Sequence, residues 1–194
     1  MRSPHRADAI RAALTAVEHD ADRQGWGALP ALLGLFDATT NGHQPPHIDI
    51  DTFDIDPGFW WLHARTVPGI RLPYWVGLKT LTRRLTTHEG APLLARWAHT
   101  GQRRLLGMAF LGEGVDTSGA GRRIAATHRL PADDDGGIVV RALTVCDIDG
   151  RHYQIVRYRG VPTTTALVLD HPPAQVRATA IPACLRRLLT TARP

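Results

Sequence analysis

Lysine is nearly missing from this chain. Lys79 is its only one, so the basic charge is written almost wholly in arginine. Serine is as scarce: Ser3 and Ser118 are the full complement, neither inside a Gly-x-Ser-x-Gly elbow, which removes the usual frame of a Ser–His–Asp hydrolase. Cys146 and Cys184 lack CxxC spacing and make neither a zinc ribbon nor a thioredoxin-like pair. They are expected to be reduced thiols packed as small hydrophobes. No His-Glu-x-x-His occurs, so the commonest zinc-helix signature is absent as well. No apolar run nears the roughly 18 residues of a membrane span. The opening MRSPHRADAIRAAL has no apolar stretch with a small-residue cleavage site. The expectation is a cytoplasmic chain with no membrane attachment.

What is present describes a folded protein. The 194 residues are 43% hydrophobic and 21% charged, enough apolar material for a sizeable core. One domain spanning 1–194 is expected, with a mainly helical half over 1–101 and a β-rich half over 102–194. The net charge of +5 is unevenly spread. Residues 1–58 carry four arginines against nine acids, and residues 59–129 carry eleven Arg and Lys against three acids. Such an asymmetry lets the acidic N-terminal third and the basic middle attract each other, within one chain or between two copies.

Read in order, Ser3-Pro4 opens a helix whose stripe is Ile10, Ala13, Leu14, Val17 and Ala21, with Gly25 closing it. Leu29, Leu32, Leu33 and Phe36 fit a second helix over 30–37, with Trp26 anchoring the corner between the two. An acidic loop over 41–58 contains a short alternating segment, with His47, Asp49 and Asp51 on one face and Ile48 and Ile50 on the other. Tyr74, Leu78, Leu81 and Leu85 mark the cleanest helix, and Pro92 opens another. From Arg104 the period shortens. Leu105–Leu111 reads as a buried strand, 112–121 as a glycine-rich loop, and Arg123–Leu130 as a further strand. Ile138–Gly160 is a hairpin around Asp149-Gly150. Thr164–Asp170 is another strand, and a final helix carries Ile181, Cys184, Leu185, Leu188 and Leu189. The fold class expected is α+β: an antiparallel β-meander of four or five strands, packed on one face against N-terminal helices and a C-terminal helix.

Several groups of residues invite a chemical reading. Gly114 and Gly119 have phosphate-loop spacing, but Ala120 stands where that loop needs lysine, so a strand connection is expected. His47, Asp49 and Asp51 offer one imidazole and hard oxygen ligands, a metal set that would make the chain a metal-dependent enzyme. Arg83, Arg84, Arg122 and Arg123, near Trp75 and Trp97, suit an anion or a nucleic-acid backbone. Cys146 and His152 face each other across the hairpin as a possible nucleophile and base. Arg141, Arg157, Arg159, Tyr153 and Tyr158 are expected to line an exposed sheet face, and arginine and tyrosine are enriched where proteins bind one another.

Arg104-Leu-Leu-Gly107, the Val145–Tyr153 pattern V-x-D-x-D-G-R-x-Y and the closing leucine-rich helix together resemble proteins common in actinobacteria to which no activity is assigned. The resemblance covers the C-terminal half and implies a fold, not a reaction. The sequence therefore points to a non-catalytic interaction or regulatory module without a cofactor, binding a protein partner or itself. A basic nucleic-acid-associated protein is the alternative, and a metal enzyme using residues 47–56 the third reading.

Overall fold

The computed structural model describes residues 4–38, 47–64, 72–101, 103–131 and 137–193. Its elements are α1 (Pro4–Gln24), β1 (Ala31–Asp37), β2 (Ile48–Thr52), α2 (Pro57–Ala64), α3 (Tyr74–Leu85), α4 (Ala91–Ala98), β3 (Arg104–Asp116), α5 (Gly119–His128), β4 (Ile138–Asp147), β5 (His152–Tyr158), β6 (Thr164–Leu169), α6 (Ala174–Ala178) and α7 (Ala180–Ala192). The fold is α+β, built on one antiparallel sheet of order β2-β1-β3-β4-β5-β6. Among the described residues the sheet has six strands, not four or five. The helical half of the chain contributes two of them.

The extra strands come from the stretch 30–37, read above as a helix. Leu29, Leu32, Leu33 and Phe36 do have helical spacing. In β1, however, Leu32 and Phe36 enter the core on one face of the sheet while Leu33 and Leu35 enter the core on the other. A strand covered on both faces is continuously apolar, and over a few residues that cannot be told from a helical stripe. Leu35 pairs with Gly107 and Phe36 with Leu105, leaving Leu106 as a bulge residue in β3. Gly34 is fixed by packing, since a Cβ there would come within 2.5 Å of the Trp97 ring.

Helices cover both faces, not one. α1 lies on the first face, where Ile10 and Leu14 pack with Leu33, Leu35, Leu106, Leu143, Val145, Tyr153 and Ile155. Tyr74, Leu78, Leu81 and Leu85 of α3 and Cys184, Leu185, Leu188 and Leu189 of α7 meet Leu32, Phe36, Leu105, Met108 and Phe110 on the second. The stripes of α3 and α7 are thus buried as their spacing requires. Each fully buried leucine or isoleucine contributes about 1.5–3 kcal/mol. Trp26 sits at a helix-to-strand corner instead of the expected helix-to-helix one, its ring 4.4 Å from the Arg141 guanidinium carbon.

Two further readings change. Arg123–Leu130 is not a strand, because the chain there belongs to α5, opened by Ser118, whose Oγ accepts a bond from the Gly121 N–H at 3.1 Å. The glycine-rich stretch is not a loop either, for Gly112 and Gly114 continue β3 and Gly119 and Gly121 start α5. The β4–β5 hairpin stands as read, with Gly150 at φ +79 supplying the left-handed residue. Ser3 and residues 41–46 of the acidic loop lie outside the described residues.

Candidate functional site

β4 and β5 were expected to present arginine and tyrosine to solvent. They present them to α1. Arg141 is 1% exposed, Arg157 4% and Tyr153 1%. Arg141 and Arg157 are direct cross-strand neighbours, so two like charges meet in the interior. What allows this is Glu18, 0% exposed, four residues beyond Leu14 on the buried stripe of α1. Arg157 donates to its two oxygens in a fork at 2.7 and 2.8 Å. That pairing, against the opposing effect of burial, raises the Arg157 pKa. Arg157 also reaches Asp22 at 3.3 Å and the Pro162 carbonyl at 2.9 Å. Arg141 donates to Glu113 Oε1 at 3.0 Å and to the Gly25 carbonyl, and lies 3.7 Å from Glu18 and 3.8 Å from Asp22. Glu113 in turn accepts from the Gly27 N–H at 2.8 Å.

These residues form a clamp that closes the end of α1 onto the sheet. At its other end Arg6 reaches Asp149 in the β4–β5 turn at 3.2 Å, so α1 runs antiparallel to β4 with an ionic tie at each end. The attraction between acidic and basic parts therefore acts inside one chain, and its main basic partners come from β4 and β5, not from the region around residues 59–129. Asp147 organises the turn between them. Its Oδ1 accepts from the Asp149 and Arg151 N–H groups at 2.9 and 2.8 Å, and its Oδ2 from the Tyr153 hydroxyl at 2.9 Å. Burial raises the pKa of Asp147 against those bonds, and burial beside Asp147 raises that of Tyr153 further. The V-x-D-x-D-G-R-x-Y pattern is thus a turn and its lock.

Tyr158 lies on the opposite face of the sheet from Tyr153. Its hydroxyl donates to Asp116 Oδ2 at 2.8 Å, and burial with that carboxylate pushes its pKa up to about 12. Asp116 also accepts from the Ser118 N–H at 2.8 Å. Burial works to raise its pKa, but the bonds from Ser118 and Tyr158 and the charge of Arg122 outweigh it and hold the carboxyl below its ordinary value. The chain's own carboxylate thus occupies the turn before α5 where an outside anion would have to sit. Arg159 alone of the five partner-face residues is exposed.

Arg83 and Arg84 are exposed at the end of α3, with Arg84 5.6 Å from the Phe59 ring centre, while Arg122 and Arg123 are exposed on α5. α3 packs with α2, α4 and α7, and α5 against β4, so the four arginines stand on separately packed helices. Trp97 lies between Phe36 and Phe53, at 5.5 and 5.1 Å, and is no stacking platform. His47 pairs with Asp49 at 3.1 Å and Asp51 with Arg103 at 2.9 Å. Among the described residues no three metal-capable side chains converge.

Cys146 and His152 are opposed across β4 and β5 as expected. Burial pushes the thiol up to about 11 and the imidazole down, the Arg186 charge adding to the second effect. His152, its Nδ1 without a protein partner, lines with Cys146 a cavity of about 10 Å³, room for about one water. A protonated thiol beside a weakened base is not an activated nucleophile.

The unexplained surface lies elsewhere. β6 is the edge strand beyond β5, and Thr164–Leu169 contains no charge, no proline and no bulge. Leu167 is 44% exposed and Val168 36%, one on each face. Beside the edge, on the second sheet face, the surface is half-buried at Gly112, Ala142 and Val156 and exposed at Thr165. Gly112, Ala142, Val156 and Thr165 form one cross-strand row there. It leads into an open groove of about 450 Å³ lined by Trp75, Val115, Val140 and Ile181. Charged and reactive side chains do not mark this edge, since Thr164–Leu169 has none. The signal was available: six consecutive uncharged residues with no gatekeeper.

No protein-family model matches the chain, and no curated protein or solved structure matches it either. Among the described residues no helix is long and apolar enough to cross a membrane.

Proposed function

We propose that this chain is a non-catalytic interaction module that takes an extended protein segment onto the free side of β6. The observation that carries the reading is the edge itself: six consecutive residues without charge, with exposed Leu167 and Val168 on its two faces. A strand edge offers a row of backbone donors and acceptors, and alternate side-chain positions supply selectivity. The adjoining row and groove give the side chains of an added segment apolar surface to cover. The non-catalytic part draws support from the state of the strongest nucleophile, Cys146, whose thiol is held protonated to about pH 11.

The test is selection from a library of extended peptides, with backbone hydrogen exchange used to map where binders lie. The expected result is new protection concentrated in Thr164–Leu169 and lost in Leu167→Lys. Protection elsewhere, or binding indifferent to Leu167→Lys, overturns the reading.

A further inference from the structure

We infer that the segment added to β6 is the β6 of a second copy, in an antiparallel pairing centred on Leu167; this rests on the strand-addition reading above. Two like edges related by a twofold axis normal to the sheet close on themselves, which makes a dimer and not a filament. In an antiparallel pair, directly opposed residues share a face, so the axis must pass through a residue position. Centring it on Leu167 sets Leu167 against its own copy, Ala166 against Val168 and Thr165 against Leu169. Every pair then has an apolar or hydroxyl-bearing partner. Moving the centre to Ala166 sets Thr165 against Leu167 and brings Pro162, which has no N–H, opposite Asp170 at the border.

The charge pattern favours the same occupant. The strand is neutral from Thr164 to Leu169, so two copies meet without repulsion. Its first flanking charge, Asp170, is already held by Arg151 Nε at 2.6 Å and faces Thr164 of the second copy in this register. The opposite edge of the sheet cannot serve as the complement. β2 has only five residues, and its Asp49 and Asp51 hold His47 and Arg103 at 3.1 and 2.9 Å. It is short and charged, as a protected edge is. α6, which follows β6, packs on α7, and Thr165–Val168 are exposed. The pairing joins two six-stranded sheets into one and carries the row that ends at Thr165 across the junction.

Two measurements test this. Sedimentation of the full chain is expected to give twice the 21.3 kDa of one copy, falling to one copy in Leu167→Lys with unchanged circular dichroism. Mild copper-catalysed oxidation is expected to cross-link L167C, whose two introduced thiols would face each other, but not A166C, whose thiols would sit diagonally beyond disulfide reach. Cys146 and Cys184 are buried and do not compete. A wild-type monomer, a Leu167→Lys dimer, or cross-linking of A166C in place of L167C each overturns the inference. A wild-type monomer whose β6 amides are protected by a selected peptide removes the second copy while keeping the strand-addition reading. A monomer that accepts no peptide removes both.

Discussion

Arg157 and Leu167 sit on neighbouring strands, yet the arginine is 4% exposed and the leucine 44%. Within a few residues the ordinary sorting of side chains is reversed. The arginine is inside because α1 brings Glu18 and Asp22 to it, turning a buried charge into a forked, hydrogen-bonded pair. The leucine is outside because, among the described residues, β6 is the last strand of the sheet and Leu167 stays 44% exposed. A buried charge with designed partners marks an internal seam. An uncharged edge with exposed Leu167 and Val168 is the feature on which the proposed strand addition rests.

Substitutions can break the comparison at either end, and the largest effect is expected at the seam. Glu18→Gln leaves two buried guanidinium groups short of a countercharge and is expected to cost about 3–5 kcal/mol in chemical denaturation. The double variant Glu18→Leu/Arg157→Leu is expected to lie closer to wild type than Glu18→Leu alone. A double variant worse than the single would mean that the pair is not the clamp. Asp147→Ala should come next. It strands the Tyr153 hydroxyl and two backbone N–H groups, at about 1–3 kcal/mol.

A smaller effect is expected with pH. The His152 pKa is lowered in the folded chain, so below the ordinary value of 6.5 the unfolded chain binds the proton more readily. The contribution of His152 to stability is therefore complete above pH 6.5 and is lost as pH falls through that value toward the lower folded pKa. His152→Leu should flatten the stability profile between pH 7 and 5; an unchanged slope would assign it to other groups. The smallest stability change belongs to the edge. With the protein diluted to a single copy, Leu167→Lys should move unfolding by no more than about 0.5 kcal/mol, as surface substitutions do. A larger loss would mean that β6 is already covered within one chain.

The same contrast explains how far the sequence could be read. The stripes of α3 and α7 and the Asp149-Gly150 hairpin are local patterns, and local patterns survived. β1 was misread because burial on both faces erases alternation. α5 was misread because its start depends on Ser118, in a stretch dominated by glycine. Arg141, Tyr153 and Arg157 do share one face, as their spacing implies, while Tyr158 is on the other. What spacing cannot say is which element covers a face. Glu18, placed on the apolar stripe of α1, was the one residue that announced a buried cationic partner.

Hydrogen exchange measured at high and low protein concentration reads both sheet edges in one experiment. The amides of Thr165–Leu169 in β6 are expected to gain protection as concentration rises, while those of Ile48–Thr52 in β2 do not. Concentration-independent exchange in β6, or equal protection of both edges, would contradict the β6 pairing.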